Sequence, residues 1–429
     1  MHTKKTSLIS PSALLIVTIA ILGIVIYAGN VMAVNTSKIT DIICLASFTF
    51  MPVSGIVCAV CFLIPLHSGI TGLYIYGYAV LMILLKSKKI RLGMLLPLFL
   101  IITYELIMMA FVGATQFNYI LTYALTMFLL FYMMHTEEVD ARAACISYIC
   151  GTLALLICVF TTAVQNYSLG MILAGLVRIG EYEGAEELGE VAVVTENANA
   201  MAYYALVAVI IAFCMLKRES LRGKILLSAA MLIATIIPLF TVSRSFIIIL
   251  LAVLLISYLS GYNFKQRAKI LVIVGLILAV VIPLLLQRTQ IFAAFTERFE
   301  DESMLTGTGR VDIFLEYMQF LWDHPWRLIF GTGSVFYKDV CQLGHSMHNG
   351  TQQILVSYGV LGFLPMLGVL VAPVIGFFRK NKFQLVKILP LIAVILFTQT
   401  IQFLNPNNLI LPYAVAILYM KMPDAEDVK

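Results

Sequence analysis

The chain has 429 residues, 61% hydrophobic and 12% charged, with a mean hydropathy of +0.98. Soluble domains carry about 25% charged residues, and a surface this apolar would aggregate in water, so composition excludes a water-soluble globule and selects a membrane-embedded chain. The net charge of +5 is no nucleic-acid signal, because the Lys and Arg residues sit in short clusters between apolar runs, where they orient helices across a bilayer.

A spanning helix needs about 20 mostly apolar residues. In chain order the candidates are Ala13–Met32, Ile42–Leu63, Ile70–Leu85, Leu92–Val112, Tyr119–Met134, Ala143–Val164, Ala198–Leu216, Ile225–Phe240, Phe246–Leu259, Ile270–Leu286, Thr351–Phe378, Ile388–Phe403 and Leu409–Met420. The first run lacks a clear small-residue cleavage site and is expected to remain a helix. Basic clusters at Lys86–Arg91, Lys217–Lys224, Lys265–Lys269 and Arg379–Lys387 are separated by even numbers of crossings. One topology therefore places all four in the cytoplasm. The N-terminus resists this scheme: Lys4 and Lys5 favour an inside start, yet three spans before Lys86 would put that cluster outside. The expectation is one integral membrane domain over residues 1–429, all-α and polytopic, with about 12 (12–13) spans and an ambiguous stretch between Ile42 and Leu85. Two external loops stand out, an acidic one at 165–197 and a large one at 287–350 before the last helices.

Seven of the eight cysteines fall inside apolar runs, leaving Cys341 in a polar loop, so no disulfide framework is expected. Cys58 and Cys61 have metal-ligand spacing but no second pair, and read as helix packing.

Three external places could carry chemistry. Thr241-Val242-Ser243-Arg244-Ser245 joins two apolar runs by a minimal turn, with Arg244 at the membrane surface as either a snorkelling anchor or a functional cation. Thr306-Gly307-Thr308-Gly309-Arg310 is either an ordinary turn or an anion site, since a glycine turn before a helix frees backbone N–H groups and Arg310 adds charge. Gly344-His345-Ser346-Met347-His348-Asn349-Gly350 puts imidazoles at the mouth of a helix, either bland or poised as a general base. Glu105 is the main intramembrane acid, a structural partner or a substrate contact. A P-loop, a Rossmann fingerprint, a serine nucleophile elbow and a zinc signature are absent, and neither cofactor nor metal is expected.

From Arg178 to the C-terminal helices the sequence resembles the O-antigen ligase and Wzy-type polysaccharide polymerase superfamily. Glu196-Asn197-Ala198-Asn199-Ala200-Met201-Ala202 is similar to its NPN-x-x-A stretch, with Ala198 in place of proline. TVSRS resembles its T-x-S-R-S/G turn, and residues 307–333 its G-R…W…D-x-P…G-x-G run, with Phe314 where Trp is common. HNGTQQILVSYGVLGFL resembles its H-N-x-x-x-Q-x-L-x-x-x-G-x-x-G ending. The resemblance implies a GT-C-like helical fold and metal-independent, inverting glycosyl transfer on the outer face of the bacterial cytoplasmic membrane. The donor would be an undecaprenyl-diphosphate-linked oligosaccharide and the acceptor a glycan, lipid or protein hydroxyl. Arg244 and Arg310 would hold the diphosphate and His348 would be the base, with His345 in reserve. Arg178, Asn199, Ser243 and Asn349 would line the substrate site. Polymerisation of repeat units is the leading reading, with a flippase and a chain-length regulator as partners. Ligation to a lipid or protein acceptor is the alternative, and a polysaccharide flippase or transporter the second.

Overall fold

The computed structural model describes residues 10–32, 34–66, 73–90, 92–173, 179–180, 198–241, 243–261, 310–381, 383–404 and 409–423. The expected span Ile270–Leu286, the cluster at Lys265–Lys269, Lys4, Lys5, Arg178 and the acidic run after Gly180 lie outside the described residues. The described residues are helical, without strands: α1 (Pro11–Val31), α2 (Ser37–Phe50), α3 (Val53–Leu63), α4 (Leu73–Lys86), α5 (Leu92–Val112), α6 (Phe117–His135), α7 (Ala141–Asn166), α8 (Leu169–Leu173), α9 (Ala198–Met215), α10 (Leu221–Leu239), α11 (Arg244–Gly261), α12 (Arg310–Asp323), α13 (Pro325–Phe330), α14 (Tyr337–Cys341), α15 (Gly350–Lys380), α16 (Leu385–Thr398) and α17 (Leu411–Met420). Seven are long and apolar enough to cross a membrane, and five shorter apolar helices accompany them. The protein is thus an all-α polytopic membrane protein.

Side-chain caps start several helices. Ser10 accepts from Ala13 N on α1, Asp140 from Arg142 N and Ala143 N on α7, and Ser220 from Gly223 N on α10. The core sits around α9 and α17, which are buried almost all round, as expected of helices apolar on every face. Here α9 packs on α7, α10, α16 and α17.

The apolar run Ile42–Leu63, expected as a single span, is two helices. Proline has no N–H to continue the ladder, and Pro52 ends α2 and starts α3. The carbonyls released at the end of α2 are taken by Lys86, whose ammonium donates to Phe48 O (2.9 Å), Thr49 O (2.6 Å) and Met51 O (2.7 Å). A cation at a helix C-terminus also complements the macrodipole. Helices α1 and α2 are antiparallel, with Thr18 bonded to Ser47 and Gly29 lying beside Thr36. From the break, α3 runs alongside α7: Ser54 accepts from Asp140 N at one end and Phe62 O abuts Gly151 further along. Four described helices, α1 to α4, therefore run up to Lys86, where three spans were expected.

The described basic loops gather at one end. There Ser87 and the Lys88 amide bond Glu138, Arg142 pairs with Glu219 at 2.7 Å, and Arg218 donates to Pro423 O. Lys421 bonds Met134 O and Thr136 O, and Lys387 bonds Met422 O. The turns after α10, before α11 and before α15 lie at the opposite end.

Replacing Lys86 by Met should leave the α2 carbonyls unanswered at a cost of about 1–3 kcal/mol. This would be read as a lower melting temperature in detergent, whereas Lys89→Met, on an exposed lysine of the same loop, should melt as wild type.

Candidate active site

The end opposite the basic loops carries the candidate residues, each at the start of a helix. Asn199 is the second residue of α9, Arg244 the first of α11 and Arg310 the first of α12. His348 precedes Asn349, the N-cap of α15. An arginine in a first helical turn opposes the macrodipole, where an anion would be favoured. Helix propensity therefore does not explain why two such positions hold one. Helix N-termini with added guanidinium charge favour a bound anion.

Contacts assemble these residues into two groups. Ser243 Oγ donates to Asn199 Oδ1 at 3.2 Å, joining the start of α9 to the turn before Arg244. In the second group the charges of Arg310, His345 and Lys338 bear on His348. The half-buried His348 imidazole is held below the ordinary histidine value, first by burial and then by Arg310, His345 and Lys338. It is therefore neutral, and able to accept a proton, near pH 7. Helix α16 links the groups: α11 packs against it, and a Cβ on Gly350 would lie 2.9 Å from Thr398 O.

His345 has a partner that the sequence reading missed. Its Nε2 lies 2.6 Å from Glu316 Oε2, and its carbonyl accepts from the Tyr317 hydroxyl at 2.7 Å. No local pattern marks Glu316, which is one turn of α12 beyond Asp312 and 29 positions from His345. The carboxamide of Asn349, expected at the substrate, caps α15 by accepting from Gln352 N at 2.9 Å. Gln352 in turn donates to Phe314 O, clamping α12 onto the first turn of α15.

The large loop has its own small core of Tyr317, Leu321, Tyr337, Cys341, Met347 and Val356. Cys341 thus faces inward at 6% exposure, although its surroundings in sequence are polar, and it is a free thiol.

Loop and helix lock together at two glycines. The expected single span Thr351–Phe378 is interrupted at Gly359, where φ is +60°, a conformation readily open only to glycine. Gly331 (φ +86°) crosses it backbone to backbone, and a Cβ on Gly359 would fall 2.6 Å from Gly331 N. The break frees Val356 O and Ser357 O, which accept from Thr332 N (2.9 Å) and Gly333 N (2.8 Å). The next two amides, Ser334 N and Val335 N, donate to Glu105 Oε1 (2.7 Å) and Oε2 (3.2 Å). Ser334 is therefore buried rather than displayed on the loop surface.

A family model described as O-antigen ligase matches residues 229–367. This range holds Arg244, Arg310, His345 and His348, and the match supports membership of the O-antigen ligase/Wzy-type superfamily. It supports an O-antigen ligase- or polymerase-type function in general, with lipid-linked glycans as the substrate class. No curated protein and no solved structure matches the chain.

The imidazole of His348 should titrate below the ordinary histidine value of about 6.5. Lys338→Gln, by removing a positive charge, should move that titration upward. The pH dependence of diethyl pyrocarbonate modification at His348, followed by mass spectrometry, measures both.

Proposed function

We propose that the protein is a membrane glycosyltransferase that polymerises undecaprenyl-diphosphate-linked oligosaccharide repeat units. The carrying observation is the placement of Arg310 at the start of α12 and of a half-buried His348 beside the start of α15, where burial and then the Arg310 charge hold the imidazole below the ordinary histidine value, at the same end of the bundle as Arg244. The acceptor hydroxyl oxygen attacks the anomeric carbon of the donor from the face opposite the leaving group. The bond from that carbon to the diphosphate oxygen breaks, with inversion. His348 takes the hydroxyl proton, and Arg244 and Arg310 neutralise the departing diphosphate. Because a diphosphate is already a good leaving group, fixed guanidinium charge substitutes for a divalent metal. Asn199 and Ser243 support the turn that presents Arg244, and Arg178 is proposed to join them at the substrate. Ligation to a lipid or protein acceptor is the second reading, favoured by the description of the matching family.

In an assay with purified lipid-linked donor in excess EDTA, His348→Ala should lower the rate by about 10²–10⁴. Arg244→Lys and Arg310→Lys keep the charge but lose the planar fork. Each should cost about 1.5–3 kcal/mol, roughly 10- to 100-fold. A ladder of lengthening products from donor alone marks a polymerase, whereas product formed only with a second acceptor marks a ligase. Normal product yield and length in all three variants would end the transfer reading in favour of a transporter.

The positive-inside rule puts the basic end in the cytoplasm, so the site faces outward across the bacterial cytoplasmic membrane, where a flippase would deliver the donor and a chain-length regulator act. In a background without Cys341, cysteine at Asp339, exposed on α14, should react with a membrane-impermeant thiol reagent in intact cells. Cysteine at Ser220 should not, and labelling there would reverse the orientation.

A further inference from the structure

Glu105 is fully buried within α5, two turns before its end, and a carboxylate there is costly unless its oxygens are occupied. They are occupied by protein: Oε1 by Ser334 N and Oε2 by Val335 N, with the Tyr358 hydroxyl close by. The Tyr123 hydroxyl pairs with that of Tyr358. One residue earlier on α5, Tyr104 donates to Phe330 O at 2.6 Å. Helix α5 thereby grips the end of the large loop. The two preceding loop amides, at Thr332 and Gly333, hold Val356 O and Ser357 O. Residues 350–358 of α15 are thus a short helical segment between the Gly359 break and the Asn349 cap. The lower end of that segment is anchored on Glu105, through Tyr358 and through the loop. Its upper end carries His348. Gln353 adds a lateral tie, its Oε1 accepting from Phe403 N and Leu404 N.

We propose that Glu105 is a positioning residue for the transfer reaction, setting the height and orientation of segment 350–358 and with it the His348 imidazole. Its buried oxygens, each already bonded by a backbone amide, argue for this role over contact with the substrate. The proposal rests on the reading of His348 as the general base.

The test is a double-mutant cycle on the full-length protein, with kcat and KM measured for the lipid-linked donor. Glu105→Gln keeps the volume and one accepting oxygen but turns an NH2 toward an amide N–H. It should lower kcat about 10- to 100-fold, the scale of a misplaced catalytic group, with KM within about threefold. Combined with His348→Ala, it should add no further loss, because the group it positions is gone. Tyr358→Phe, which removes the hydroxyl beside the carboxylate and its bond to Tyr123, should repeat the pattern at about 3- to 10-fold and carries the cycle if Glu105→Gln does not fold. Multiplicative losses in the double variants, a change confined to KM, or an unchanged kcat would overturn the positioning role while leaving the transferase reading intact. An active His348→Ala would instead remove the base assignment itself, a separate result that overturns both.

Discussion

Four consecutive amides, at residues 332–335, enter the interior of an apolar helical bundle, and each must find an acceptor. The broken α15 supplies two carbonyls and Glu105 supplies two carboxylate oxygens. This one requirement organises the half of the molecule that carries the candidate site. It explains why α15 is interrupted where an unbroken span would leave no free carbonyl, and why the interruption falls on glycine opposite another glycine. It also explains why an acid sits in an otherwise apolar helix. The small core under the loop then closes over this seam, and α12 is clamped to the first turn of α15.

The same end of the bundle carries both candidate arginines, Arg244 and Arg310. Helix starts at Asn199, Arg244, Arg310 and Gly350 converge on one end. Two of these starts hold an arginine, a charge that the helix macrodipole opposes there. Burial first, and then the charges of Arg310, His345 and Lys338, hold the His348 imidazole below the ordinary histidine value.

Much of this was legible in the sequence. The basic clusters marked one end of the bundle because charge cannot rest in the hydrocarbon layer, and the helix-start residues were found from short motifs that keep their order along the chain. What escaped depends on contacts distant in sequence. The reversal at Pro52 hides inside a continuous apolar run, and only Lys86, thirty-five residues on, answers its carbonyls. The break at Gly359 looks like any glycine in a membrane helix until Gly331 crosses it. Cys341 is surrounded by polar neighbours in sequence but by aromatic and aliphatic side chains in space. Glu316 meets His345 only because α12 folds back over the start of α15.

The Pro52 reversal also bears on how the N-terminal helices hold together. Helices α2 and α3 have 14 and 11 residues, each shorter than the roughly 20 needed to be recognised as a span alone. Together they read as one long apolar stretch, which Pro52 divides. Lys86, at the far end of α4, reaches back across the break to three carbonyls at the end of α2. A single lysine side chain thus staples the last of the four N-terminal helices to the second.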